Sequence, residues 1–190
     1  MLLKPVFDIG LWNAWIFMPY LFLMIILVGK LKKGEDPGKT ELDAISKNEK
    51  RIFNSAWLVF SLALIYSIFL PLQLGTMWFY IGLPITLIGL VTLTIVMVNF
   101  ATTPWDKPVI KGLYHYSRHP MYITIALFLL GIGIASASWL FLLLSIIFTI
   151  LNTLRAIYEE RYCLEKYGDA YREYMKRTPR WLGIPKSVAK

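Results

Sequence analysis

The sequence contains little of what builds disulfide-rich or metal-binding proteins. Among 190 residues there is one cysteine, Cys163, and there are two histidines, and only 17% of the residues are charged. A single thiol cannot form a disulfide within the chain. Two histidines and scattered carboxylates provide no metal-ligand spacing. The composition therefore excludes an internal disulfide framework, predicts no metal site and leaves Cys163 a packing role.

Long uncharged runs take the place of these features. The chain is 57% hydrophobic with a mean hydropathy of +0.55, which is too apolar for a soluble domain of this size. Because backbone polar groups must be satisfied inside a bilayer, such runs predict an all-α polytopic membrane protein. We expect one domain over 1–190, with three spans in 1–100 and a loop, helical hairpin and cytosolic tail in 101–182. The five predicted spans, of which the last two form a tight hairpin, are 9–29, 52–74, 78–100, 121–135 and 139–154.

The net charge of +8 follows the loops, which is a topology signal rather than a nucleic-acid footprint. Basic residues number one before the first span, seven in 30–51, none in the second loop, three in 101–120, none in the hairpin turn and nine after Leu154. The positive-inside rule then places the N-terminus outside and the first loop, central loop and tail in the cytoplasm. Within the first loop we expect a turn at 34–38 and a short surface helix through Leu42 and Ile45.

Polar chemistry is concentrated in the central loop, at 111–122, which holds both histidines. Pro120 suits the first position of a helix, so His119 is a predicted N-cap. Free N–H groups and the positive end of the helix dipole favour a carboxylate or phosphate there, and Arg118 adds charge. The alternative is an interfacial Arg-His pair that only anchors the helix. Asn99, at the end of the third span, suits either the headgroup level or a site.

A second polar cluster follows the hairpin. Arg155 and Glu159 are four residues apart, so a continuing helix brings them within pairing distance. Ionisable groups beside a membrane span indicate a functional site, although an interfacial salt bridge is the alternative and suits Glu160 with Arg161 better. Beyond them, 165–175 predicts two amphipathic helices with a Gly-Asp break, the second carrying Tyr171, Tyr174 and Met175 on one face. We expect this basic tail to lie on the membrane, to cover the cytoplasmic side of the protein or to close over a site.

These motifs together resemble one known family. The run Gly112-Leu113-Tyr114, then Arg118-His119-Pro120-Met121-Tyr122, an apolar hairpin, Arg155 with Glu159-Glu160, and finally Tyr167-Gly168-Asp169 with Tyr171 and Tyr174 is similar to the isoprenylcysteine carboxyl methyltransferase family and its phospholipid methyltransferase relatives. The resemblance covers about residues 99–182. The motifs are specific in combination and weak singly.

The resemblance implies an integral membrane enzyme that transfers a methyl group from S-adenosylmethionine to a lipophilic acceptor, a carboxylate, thiol or lipid amine, at the cytosolic interface. Arg155 would face the acceptor, and Arg155 and Glu159 are the catalytic candidates. Two other classes are an NADPH-dependent membrane reductase related to the sterol reductases and a non-catalytic membrane scaffold. The cofactor contacts that the resemblance implies are Asn99, the segment 106–109 with Val109, Tyr114, His119, Pro120, Met121, Tyr122, Glu159 and Glu160.

The residue types agree with such a site. A carboxylate such as Glu159 suits an ammonium group or ribose hydroxyls, and Tyr114 or Tyr122 suits an adenine ring. Arg155 would hold an anionic acceptor, whereas an amine acceptor would need a proton acceptor, for which His119 or a glutamate is available.

Overall fold

The described part of the chain is helical. The computed structural model describes residues 7–32 and 45–185, and within these ranges the only β pairing is an isolated bridge between Asn13 and Pro71. Two short 3-10 helices accompany the α-helices, one before α1 at Ala14–Phe17 and one at Gly112–His115. The α-helices are α1 (Met18–Leu31), α2 (Lys47–Ile68), α3 (Met77–Ala101), α4 (Pro120–Ala135), α5 (Trp139–Tyr167) and α6 (Asp169–Arg177).

In the part of the chain that the structure describes, four segments are long and apolar enough to cross a membrane, which confirms the predicted helical membrane class. They are Ala14–Leu31, Lys47–Ile68, Met77–Ala101 and Trp139–Tyr167. Helix α4 has 16 residues and is about 24 Å long, less than the roughly 30 Å of a hydrocarbon core. A fifth span at this helix stays a prediction.

The bounds of α2 differ from the predicted 52–74 at both ends. The helix begins at Lys47 because Ser46 and Glu49 form a capping box, in which each side chain accepts a hydrogen bond from the other residue's backbone. It ends at Ile68, since a residue before a proline disfavours helical geometry and Pro71 follows closely. The Asn13 amide donates 2.7 Å hydrogen bonds to the carbonyl oxygens of Ile68 and Asp8. These bonds hold 7–13 in a non-helical conformation, where the first span was predicted to begin.

Helices α3 and α4 pack with their backbones in close contact. A Cβ at Gly89 would lie 2.6 Å from the Phe128 nitrogen, and one at Gly82 would lie 2.1 Å from the Ala135 nitrogen. On the facing helix, a Cβ at Gly131 would lie 2.4 Å from the Thr86 nitrogen. Small residues of this kind allow close helix approach in membranes. The contact fixes the position of α4 against α3.

Helix α5 is longer than its predicted span of 139–154 and continues to Tyr167, where Gly168 adopts a positive φ of 54° and ends it. Helix α6 then buries Tyr171 and Tyr174. The following tail, 178–183, runs beside the central loop: Arg118 N donates to Pro179 O at 3.0 Å, and Gly183 N donates to Tyr116 O at 3.0 Å. The predicted turn at 34–38 and the helix through Leu42 lie outside the described residues, and Ile45 is in a bend.

Candidate functional site

The start of α4 is held by hydrogen bonds from the preceding loop and from the tail. Pro120 is the first helical residue and His119 holds the N-cap position, as predicted, but the His119 side chain makes no capping hydrogen bond. Instead, the Ser117 hydroxyl accepts from His119 N at 3.1 Å and donates to Arg180 O at 3.1 Å. The imidazole is therefore directed toward α5, where it meets both glutamates.

Glu160 is the centre of a buried ion cluster, and it does not pair with Arg161. Its side chain is 4% exposed, and its Oε1 lies 3.1 Å from His119 Nε2 and 3.3 Å from Arg118 Nε. Arg180 donates to both carboxylate oxygens, with Nε at 3.0 Å from Oε1 and the terminal nitrogen at 2.7 Å from Oε2. Arg161 pairs with Glu49 on α2 at 2.9 Å. The interfacial pair expected for Glu160 and Arg161 is wrong, because Glu160 faces the protein interior.

The contacts of the tail and of α6 are made by a charged arginine and a neutral tyrosine. Hydrogen bonds to Glu160 raise the pKa of Arg180 above its ordinary value, so Arg180 stays charged. Burial raises the pKa of Tyr174, whose hydroxyl donates to Tyr114 O at 2.6 Å and to Ser117 O at 3.3 Å. A neutral phenol can donate these bonds, and a phenolate cannot. The tail is thus attached to α5 by the ion pair between Arg180 and Glu160, and α6 is attached to the central loop by the hydrogen bonds of Tyr174.

Glu159 lies on the other side of the histidine ring. It accepts a hydrogen bond from the Tyr122 hydroxyl, and its Oε2 lies 3.8 Å from His119 Nδ1. The side chain is 38% exposed, ten times the exposure of Glu160. His119 stacks on Tyr122 with ring centroids 5.5 Å apart and also contacts Trp181 at 5.8 Å. Glu159 is therefore the carboxylate of this cluster that a ligand can reach.

Arg155 stands apart from the glutamates. It does not pair with Glu159, although the helix continues through both; instead it donates to Asn152 Oδ1 at 3.1 Å. Its guanidinium carbon lies 4.7 Å from the Phe53 ring centroid and 5.7 Å from that of Tyr122. The Arg155 Nε is buried without a hydrogen-bond partner. Within the described ranges, no carboxylate lies within ion-pair distance of this cation.

The remaining predicted residues differ in burial and in their relation to this cluster. Tyr114 is buried, and burial followed by the nearby Glu159 charge raises the pKa of its phenol. The Asn99 amide faces the loop, since a Cβ at Gly112 would lie 2.0 Å from its Nδ2, which is buried without a partner. Met121 packs against the hydrophobic core and Pro120 is buried. Val109 is half-buried, and no described contact joins it to the cluster.

Three residues of the site were not among the predicted ones. Arg180 and Trp181 come from the tail, where the sequence shows only a basic residue beside an aromatic one after Pro179. Phe53 comes from α2, in a segment that reads as ordinary apolar helix. Sequence spacing carries no signal for any of them, because all three reach the site through tertiary packing.

The fold and the site together define a helical membrane protein with an ionisable cluster at one end of α4 and α5. A family model described as phospholipid methyltransferase matches residues 70–170, a little over half of the chain. The chain belongs to the phospholipid methyltransferase family. It is also similar to a protein-S-isoprenylcysteine O-methyltransferase of Schizosaccharomyces pombe, with 33% identity over 78 residues. That alignment covers 40% of this chain and 32% of the relative, about a third of the relative's length.

Proposed function

We propose that this protein is a membrane methyltransferase that uses S-adenosylmethionine and acts on a lipophilic acceptor. The observation that carries the proposal is the separation of charges at one end of α4 and α5. A reachable carboxylate, Glu159, accepts from the Tyr122 hydroxyl, and a cation without a carboxylate partner, Arg155, lies 5.7 Å from the centroid of the Tyr122 ring. Family membership supports methyl transfer as the chemistry.

The residues present fit the proposed cofactor. When bound, S-adenosylmethionine supplies a sulfonium methyl group for transfer to a nucleophile. The Glu159 carboxylate suits its ammonium or ribose hydroxyls, and the start of α4 suits its carboxylate. Tyr114 and Tyr122 provide aromatic surface for the adenine. Asn99 Nδ2 and Arg155 Nε are buried donors without partners, which is the state expected of groups that await a ligand.

Arg155 is the residue that we propose binds the methyl acceptor. A guanidinium binds carboxylates in a planar, two-bonded geometry, and the rings of Phe53 and Tyr122 limit its orientation. Holding an acceptor oxygen or sulfur in line with a methyl donor contributes up to about 7–11 kcal/mol through orientation alone. The same cation repels a protonated amine. We therefore favour an anionic acceptor, a carboxylate or thiolate, over a lipid amine.

The proposed placement in the membrane has the ionisable end in the cytoplasm. The loop at 101–120 and the residues after Leu154 carry 12 of the 20 basic residues of the sequence, which supports this orientation under the positive-inside rule. Helix α4 would be a fifth, short span covered by α3 and α5. An acceptor anchored in the bilayer could then reach Arg155 without leaving the membrane.

Calorimetric titration of the detergent-purified protein with S-adenosylmethionine and S-adenosylhomocysteine tests the cofactor, with NADPH as comparison. We expect micromolar binding of the first two, weakened about tenfold or more by Glu159→Gln or His119→Ala, because the first removes a negative charge and the second an imidazole from the proposed cofactor site. Arg155→Ala should keep cofactor affinity and impair transfer. Binding of NADPH alone would refute the proposal.

The acceptor class is tested with a methyl-labelled donor. Vesicles containing a prenylated cysteine or phosphatidylethanolamine are incubated with the protein, and the labelled lipid is treated with alkali. A methyl ester releases volatile methanol, whereas a methylated amine keeps its label. We expect alkali-labile label from the carboxylate acceptor, lost in Arg155→Ala; alkali-stable label on the amine lipid would contradict the anionic assignment.

A further inference from the structure

His119 lies between two carboxylates in unequal surroundings. Its Nε2 is 3.1 Å from Glu160, whereas its Nδ1 is 3.8 Å from Glu159, longer than a hydrogen bond. The nearest oxygen of Glu159 already accepts from the Tyr122 hydroxyl. Only one nitrogen of the ring is therefore hydrogen-bonded to a carboxylate, while the other lies at ion-pair distance from one.

Glu160, the partner of His119 Nε2, can only accept a hydrogen bond. Arg180 donates to both oxygens of Glu160, and Arg118 lies at ion-pair distance, so this carboxylate is held in its charged form. A charged carboxylate has no proton to donate, so the 3.1 Å contact requires the proton on Nε2. In the neutral ring, Nδ1 then carries a lone pair. That lone pair faces the side of the ring where Glu159 is reachable.

We infer that Glu160 is a positioning residue that fixes His119 as the Nε2–H tautomer and thereby presents the Nδ1 lone pair beside Glu159. Arg118 and Arg180 keep Glu160 charged, and Trp181 and Tyr122 limit rotation of the ring. The lone pair and the Glu159 carboxylate are neighbouring acceptors, and Glu159 also accepts from the Tyr122 hydroxyl. Two neighbouring acceptors bind a group with N–H donors, above all an ammonium.

The role of this tautomer in ligand binding rests on the proposed function. The groups around the imidazole are Glu159 and Glu160 from α5, Arg118 from the loop, Arg180 from the tail and Tyr122 from α4. With two acceptors near the Tyr122 hydroxyl and Arg155 near the Tyr122 ring, the site offers separate positions for the cationic and the anionic end of a ligand. An ammonium belongs at His119, and an anion belongs at Arg155.

Nitrogen-15 NMR of the histidine-labelled protein in detergent tests the tautomer directly, at about pH 8.5, where an ordinary histidine is neutral. The chain has only two histidines, and exposed His115 serves as the internal reference in the same spectrum. A hydrogen bond to a charged group is strong enough to favour one tautomer about tenfold or more. We expect His119 to show protonated Nε2 and unprotonated Nδ1. A protonated Nδ1, alone or with Nε2, would overturn the inference.

Variants on one helix supply the control. Glu160→Gln should increase the Nδ1–H fraction of His119 severalfold, while Glu165→Gln, an exposed position of α5, should leave the spectrum unchanged. In calorimetry, Glu160→Gln should weaken S-adenosylhomocysteine binding in the wild-type background and have little further effect in His119→Ala. A protein that binds no S-adenosylhomocysteine would defeat the proposed function, while the tautomer is decided by its own spectrum.

Discussion

Replacing Glu160 with alanine should destabilise the protein far more than removing a surface ion pair. Glu160 is 3% exposed and lies within ion-pair distance of Arg118, His119 and Arg180, so the substitution leaves Arg118, whose side chain is 10% exposed, without its counter-charge. Removing one partner of a buried pair costs about 3–5 kcal/mol. The Arg180 side chain is 40% exposed and can turn to water, which favours the lower end, about 3 kcal/mol.

Thermal unfolding in detergent measures this loss. For a chain of this size, about 3 kcal/mol corresponds to a fall in Tm of roughly 6–12 °C. Arg161→Ala is the matched control, because it removes the ion pair to Glu49 from an arginine that is 54% exposed, a change expected to cost less than about 1 kcal/mol.

A second readout follows the tail. With Glu160 removed, Arg180 loses its ion pair, and trypsin should cleave after Arg177 and Arg180 several times faster than in the wild type. Equal Tm shifts for Glu160→Ala and Arg161→Ala, with unchanged cleavage, would show that the cluster does not hold the tail. The reasoning about the buried carboxylate would then fail.

Three further predictions concern packing and the acceptor side. Gly89→Ala should lower Tm by roughly 2–12 °C, because overpacking typically costs about 1–3 kcal/mol. Gly29→Ala is the control and should be neutral, since nothing lies within 4 Å of a Cβ at that position. Equal effects of the two substitutions would refute the close α3–α4 contact. Phe53→Leu should raise the KM for an anionic acceptor severalfold without changing the Kd for S-adenosylhomocysteine, and a change confined to the Kd would contradict its placement. Tyr122→Phe removes the hydroxyl bonded to Glu159 and should weaken cofactor binding about tenfold, measured by calorimetry.

Local sequence signals predicted much of the helical framework. Uncharged runs indicated where helices lie, and Pro120 placed the start of α4 within one residue, because a proline suits the first helical position. Other bounds were missed where a specific side chain intervened. The capping box of Ser46 and Glu49 extended α2 at its start, and Asn13 and Pro71 accompany its end, since hydrogen-bonding partners and not hydropathy decide where a helix stops.

The site residues likewise fall into those that local sequence predicted and those that only tertiary structure shows. His119, Tyr122 and Glu159 were predicted and lie together, since they belong to two helices joined by a short turn. The role of Glu160 was mistaken, because helical spacing alone cannot say which of two adjacent glutamates faces the interior. Arg180 and Trp181 depend on the path of the tail after Gly168, which only the folded chain reveals.

Under the proposed function, the glycine contacts between α3 and α4 would bear on which substrates are accepted. Because the two backbones touch, α4 cannot slide along α3, and the depth of His119 relative to the far end of the pair is fixed. For an acceptor whose lipid chain is anchored in the bilayer, the site would lie at a fixed depth. It would select molecules by how far the reactive atom stands from the lipid anchor as well as by charge.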